Sequence, residues 1–167
     1  MRLSVGDVVV YAAYGVGRIV AREKRVRGGA DQEIVVLELA HGLTVTLPLE
    51  RAIGQLRPPV DEADMRRVQE TLRGAGTLSG DVWLKRRKEA RAKLKGGDPV
   101  ELAEVVRDGA QRVRALAERP SKSQLSPGEK DLYMRARQLL SEEIRVVRGV
   151  EEADADAWIE EQLGPAS

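Results

Sequence analysis

Leu56-Arg57-Pro58-Pro59-Val60-Asp61-Glu62-Ala63-Asp64-Met65 is the stretch on which the fold turns. Each proline lacks a backbone N–H and holds the residue before it extended, so neither a ladder nor a helix runs through the pair. Behind it, Asp61, Glu62 and Asp64 open a segment that closes on Arg73 before Gly74. Acids first, a base last and then glycine is the charge order and stop signal of a helix. The chain is therefore expected to divide between Arg57 and Asp61, into a β domain over 1–58 and a helical domain over 59–167. The fold class this implies is α+β, with the β part first.

Upstream of the prolines the period is two. Runs at 8–11, 16–23, 33–39 and 43–47 are rich in β-branched residues, and a further short run at 53–56 makes about five strands. Gly6-Asp7, Tyr14-Gly15, Gly28-Gly29 and His41-Gly42 punctuate them. Strands so short and evenly spaced predict a small, strongly bent antiparallel sheet or barrel. Downstream the period is helical, and four or five helices are expected. A second helix should run over 81–95 and stop at Gly96-Gly97. A third opens at Asp98-Pro99, an N-cap acceptor followed by proline at the first helical position, with Leu102, Val105, Val106, Val113 and Leu116 as its apolar stripe. Ser126-Pro127-Gly128-Glu129 repeats that grammar for a fourth, with Leu132, Leu139, Leu140, Ile144 and Val147 inward. A short acidic helix at 154–163 follows, in which Trp158 should pack. Glu142-Glu143 and Glu160-Glu161 are expected on solvent-facing positions.

Composition narrows the chemistry. Among 167 residues there is no Cys and no Phe, which removes disulfides and thiolate nucleophiles and leaves an aliphatic core. The only histidine, His41, sits in a turn without a nucleophile beside it, so no catalytic constellation is expected. Gly15-Val16-Gly17 lacks a third glycine and a following helix, and 74–80 lacks the Lys-Ser/Thr pair of a phosphate loop. Neither a metal site nor a cofactor is expected. No run approaches the length of a membrane span, and the chain is expected to work in the cytoplasm.

Lys plus Arg number 28 and Asp plus Glu 27, so any attraction to nucleic acid must be local. It is local: Lys85, Arg86, Arg87, Lys88, Arg91, Lys93 and Lys95 crowd one helix against the single acid Glu89. Cations at that density are satisfied by phosphate, or by acids elsewhere such as those of the C-terminal segment. Spacing also places Arg87 and Arg91 beside Leu94, so some of these side chains could snorkel around the core. Trp83 opens the same helix, where an indole either packs inside or stands as an apolar wedge beside cations, as in minor-groove binders.

In their order along the chain these residues resemble the CarD family. Val5-Gly6-Asp7-Val8-Val9-Val10-Tyr11, Tyr14-Gly15-Val16-Gly17 and Leu47-Pro48 are similar to its polymerase-interacting domain. Trp83 with Lys85-Arg86-Arg87, then Gly97-Asp98, Ala103-Glu104-Val105-Val106-Arg107-Asp108, Leu125-Ser126, Gly128-Glu129-Lys130 and Ala136-Arg137-Gln138-Leu139-Leu140, are similar to its C-terminal domain. The resemblance implies a Tudor-like β domain that binds the RNA polymerase β subunit. It also implies a helical domain at the upstream edge of the promoter bubble, with no catalysis, acting as a monomer. On that resemblance Trp83 is the wedge, Lys85, Arg86, Arg87 and Lys88 contact DNA, and Arg25, Thr46 and Leu47 contact polymerase. Thr46 stands where family members often carry arginine. Three other readings compete: the polymerase-binding module of a transcription-repair coupling factor, without its nucleotide motifs; an adaptor that binds polymerase but not DNA; and a membrane-surface helix, for which Val82, Trp83, Ala90 and Leu94 form too small an apolar face.

Overall fold

The computed structural model describes residues 2–76, 83–121 and 123–164. The chain folds as two compact units, Met1–Pro59 and Val60–Ser167.

In the first unit β1 (Val8–Tyr11), β2 (Gly15–Arg27), β3 (Ala30–Leu39), β4 (Thr44–Pro48) and β5 (Leu56–Arg57) form one sheet in the order β4-β3-β2-β1-β5. Every pairing is antiparallel. The α+β class with a five-stranded N-terminal sheet is thus as the sequence predicts. Alternation sends Val9, Ile19, Val35, Leu37, Leu39 and Leu47 to one core. The β2–β3 register shifts between Ile19 and Ala21, a bulge that bends the long hairpin. Gly17 lies where β2 meets Leu37: a Cβ there would come within 2.9 Å of Leu37 Cδ1 and 3.0 Å of the Glu38 carbonyl. Only glycine allows that approach.

The expected strand at 53–56 is corrected. Leu49–Gln55 is a helix, α1, and only Leu56–Arg57 joins the sheet, against Val10 and Tyr11. Leu49, Glu50, Arg51 and Ala52 are good helix formers with an acid in the first turn, and Leu49 and Ala52, three apart, both reach the sheet core. One β-branched residue, Ile53, is too little to oppose them.

The second unit holds α2 (Glu62–Arg73), α3 (Trp83–Gly96), α4 (Pro99–Ala117), α5 (Pro127–Arg148) and α6 (Glu152–Leu163). The cap grammar operates as written in the sequence. Asp61 accepts from the Asp64 amide at 2.8 Å, Asp98 from the Val100 amide at 2.8 Å, and Ser126 from the Glu129 amide at 3.3 Å. Met65, Val68, Leu72, Leu102, Val106, Leu139, Leu140, Ile144 and Ile159 share one core, with Trp158 packed against it. The expected start of α3, Asp81 and Val82, lies outside the described residues, as does most of the 74–80 loop.

Two expectations fail here for the same reason, which is that helical period outranks residue type. Val113 is 42% exposed, because the period carries it to the rim of a shallow cleft shared with Ala117, Leu125 and Met134. Glu142 and Glu143, expected outside, are 5% and 2% exposed. Glu143 falls on the inward row of Ala136, Leu139 and Leu140, and burial is possible because its Oε2 accepts from the Val60 amide at 2.9 Å. That bond also fixes the chain where the helical unit begins.

Glu143→Ala therefore strands a buried amide and empties part of the core. The expected loss is at least about 1–3 kcal/mol, read as a lower midpoint in urea denaturation of the full chain; a midpoint equal to the parent's would refute the role assigned to the carboxylate.

Candidate nucleic-acid interface

The basic cluster lies on one regular helix, and its members are sorted around it. Lys85, Lys88, Arg91 and Lys95 are exposed, whereas Arg86, Arg87 and Lys93 are half-buried and Leu94 is buried. The spacing 85, 88 and then 88, 91, 95 stacks the exposed cations over successive turns, as a row of like charges. Arg91, expected to share the side of Leu94, is outside. Arg87 is half-buried on the side of Leu94, with its Nε buried.

Among the described side chains of α3, Leu94 is in the core and Ala90 packs against it. A polar contact adds to it, since Lys93 Nζ meets Glu104 Oε2 on α4 at 2.7 Å with both side chains about a third exposed. Glu104 was not singled out from sequence as a site residue, because an acid on the neighbouring helix carries no local signal of its partner. The indole of Trp83 lies outside the described residues, although its backbone begins α3.

The acids of α6 serve a different cation. Arg137 on α5 pairs with Asp156 at 3.7 Å and with Glu160, and donates to the Tyr133 hydroxyl at 3.2 Å. Burial works against the Arg137 charge, but the hydrogen bonds with Glu160 and Tyr133 outweigh it and hold its pKa above the ordinary arginine value. Arg114 closes the other end of α6 by donating to the carbonyls of Leu163 at 3.3 Å and Gly164 at 2.7 Å.

The residues expected at the polymerase surface are not brought together. Arg25 is exposed on β2, opposite Gln32 and ion-paired with Glu23 at 3.2 Å, while Thr46 is exposed on β4, opposite Val36. Leu47 is 4% exposed in the sheet core, so its side chain offers no contact surface, a correction that alternation along β4 required. What β4 does offer is backbone. The Leu39 amide donates to the Leu43 carbonyl at 2.8 Å, which fixes 39/43, 37/45 and 35/47 as the mutually bonded pairs. The amide and carbonyl groups of Thr44 and Thr46 therefore point away from β3, along an edge with no further strand.

Comparison with known proteins finds two family models in chain order. The CarD-like/TRCF RID domain matches residues 3–68, and the CarD C-terminal domain matches residues 67–160. The chain is also 27% identical over 150 residues to the "Putative transcription factor YdeB" of Bacillus subtilis (strain 168), covering 89% of this chain and 94% of that protein. Among the described residues no helix is long and apolar enough to cross a membrane.

Because the Lys93–Glu104 pair ties α3 to α4, α3 should respond to its loss. Glu104→Gln is expected to speed amide hydrogen exchange within α3 by about two- to fivefold, the worth of a half-exposed pair, while exchange in α5 stays at its parent rate. Equal acceleration in both helices would mean that Glu104 supports the bundle and not α3 in particular.

Proposed function

Because the chain belongs to the CarD family, we propose that it regulates transcription initiation by holding RNA polymerase with its β unit and promoter DNA with its helical unit. The single observation that carries the DNA half is the exposed row Lys85, Lys88, Arg91 and Lys95 in a protein whose net charge is only +1. Such a row suits phosphates spaced along a backbone. Arg86 and Arg87 reach DNA from the flank of the helix, with their stems against the bundle. No Asn or Gln stands among these cations, so the contact positions the protein and does not read sequence.

The polymerase half of the reading rests on the RID match, and β4 supports it. An exposed edge whose outward groups belong to Thr44 and Thr46 can accept a strand from the β subunit, main chain to main chain. Such a contact needs no arginine at Thr46. The buried Leu47 then serves by keeping the edge strand seated. Arg25 lies four positions along the hairpin from the Thr46 register and makes a separate, peripheral contact.

At the upstream edge of the bubble, Trp83 fills the space into which separated bases would restack, and the neighbouring cations hold the backbone beside it. The protein so acts as a monomer in the cytoplasm, slowing the collapse of the open complex. It helps promoters limited by opening and hinders those limited by escape. The inward turn of Arg86 and Arg87 favours a second reading, an adaptor that holds polymerase without touching DNA.

Two variants separate these readings. Lys85→Ala, Arg86→Ala and Lys88→Ala together should weaken association of the polymerase complex with promoters of any sequence. They should also flatten the log-log salt dependence by up to about three, one unit for each lost phosphate contact; an unchanged slope selects the adaptor. Trp83→Ala should leave the melting curve within about 0.5 kcal/mol of the parent, as for a surface truncation. It should shorten open-complex lifetime by about tenfold, the equivalent of ~1.4 kcal/mol, with polymerase binding unchanged. A loss of roughly 3–5 kcal/mol in stability would instead mark a core indole, and a normal melt with an unaltered lifetime would remove the wedge.

A further inference from the structure

The chain that leaves α2 is held by one side chain of α4. α2 ends at Arg73, and the Gly74 amide still donates back to the Thr71 carbonyl at 3.2 Å. Residues 74–76 belong to no helix or strand, so their remaining amides and carbonyls need partners from elsewhere. Gln111 serves two of them. Its Oε1 accepts from the Gly76 amide at 3.0 Å, and its Nε2 donates to the Gly74 carbonyl at 3.4 Å. A carboxamide carries a donor and an acceptor in one plane, as a peptide unit does, and here it serves two positions, one residue apart, as a neighbouring strand would. Gly76 is seated as closely as backbone permits. A Cβ there would overlap Gln111 Oε1 and come within 2.7 Å of Asp108 Oδ1.

Gln111 belongs to a polar stripe of α4. Glu104, Asp108 and Gln111 follow one another at helical spacing and share a face. Glu104 holds the second half of α3 through Lys93 at 2.7 Å, Asp108 abuts Gly76, and Gln111 holds Gly74 and Gly76. α4 therefore grips the chain at two places, one before the connection to α3 and one near the far end of that helix. Trp83 begins α3, and the six residues 77–82 join it to Gly76.

We propose that Gln111 is a positioning residue for Trp83: by pinning Gly74 and Gly76 it fixes the near end of the connection and so restricts where the indole can stand. Its effect on transcription rests on the wedge reading given above, whereas the clamp acts on Trp83 whether or not the indole meets DNA. Release of the clamp lengthens the free connection from the six residues 77–82 to the nine residues 74–82. The conformational freedom of such a link grows as about the 3/2 power of its length, here roughly twofold. An indole that visits more positions spends less time in the one that blocks restacking.

The test uses the full chain with Gln111→Met, which keeps the length and helix propensity of the side chain and removes both polar atoms. Labelling with fluorotryptophan gives Trp83 and Trp158 a fluorine line each, and Trp158, packed against the core, is the internal control. The Trp83 line should shift or broaden while the Trp158 line keeps its parent position, and amide exchange at Gly76 should speed by about fivefold, the worth of one hydrogen bond. With RNA polymerase and promoter DNA, open-complex lifetime should fall by about twofold. In a Trp83→Ala background the same substitution should shorten it no further, because Gln111 acts through the indole. Should Gln111→Met melt early, Gly76→Ala opens the clamp from the chain's side and takes its place. An unmoved Trp83 line with parent exchange at Gly76, equal movement of both indole lines, or a lifetime loss that persists without the indole would each overturn the proposal. So would a parent lifetime in Gln111→Met where Trp83→Ala shortens it. A parent lifetime in Trp83→Ala itself removes the wedge, and the fluorine line and Gly76 exchange then decide the clamp alone.

Discussion

The seating of α4 on α5 is the contact on which the rest of the helical unit depends. α2 and α3 both pack on α4, and α6 packs on α5 and α2, so the α4–α5 spacing sets where each of them can lie. Gly109 fixes part of that spacing by admitting the Tyr133 ring against bare backbone. Any side chain at position 109 would push the two helices apart or turn the ring out. In a protein without phenylalanine, a ring used as a spacer constrains more than an aliphatic chain would, since it has few rotamers and a flat face. Tyr133 is also tied at its hydroxyl by Arg137, which in turn holds α6. One aromatic residue thus connects the α4 contact to the docking of the last helix.

A third of the residues are charged, and their placement shows how little apolar surface the fold has to spare. α6 is attached through Arg137 at one end and Arg114 at the other as well as through its apolar side, and Arg73 donates to Gln162 at 2.8 Å. Glu143 goes further and is buried outright, exchanging water for a backbone amide. Each such contact contributes modestly by itself, but together they consume cations of α2, α4 and α5. On α3, Lys85, Lys88, Arg91 and Lys95 face outward in a row.

Much of this was legible in the sequence where local chemistry acts. Asp98 and Ser126 cap the helices they were expected to cap, and Asp61, expected to open its helix, caps it, because a side-chain acceptor and the amides it serves are separated by only two or three residues. The four longer strands likewise follow from alternation and glycine punctuation. The misreadings came where a distant partner decides. Glu143 reads as a surface acid until Val60 is brought to it across 83 positions of chain. Leu47 is adjacent in sequence to the residue that faces the edge, but strand pleat gives the two opposite faces. At α1 the error was one of weight, since one isoleucine was set against a run of helix formers. Within the candidate site the sequence identified the helix and its charge, while the division into outward Lys85 and Lys88 and flanking Arg86 and Arg87 depends on where Leu94 enters the core.

That division bears on how a basic helix can be both folded and useful. A helix that buried a broad apolar stripe would be rigid, but would have fewer positions for outward cations. One that buried nothing would not hold its like charges together in water, since short isolated helices are marginal even without repulsion. On its described side chains α3 sits between these limits, with Leu94 buried, Ala90 packed on the core and Lys93 paired with Glu104 of α4. Repulsion along the row at 85, 88, 91 and 95 lowers the stability of the free helix, and it is relieved when phosphates lie between the cations. If the proposed DNA contact is made, any binding energy spent on stiffening the helix lowers affinity relative to a rigid one. For a protein proposed to act on a bubble that must open, persist and then collapse, a contact made through exposed charges to phosphates holds DNA without reading its sequence.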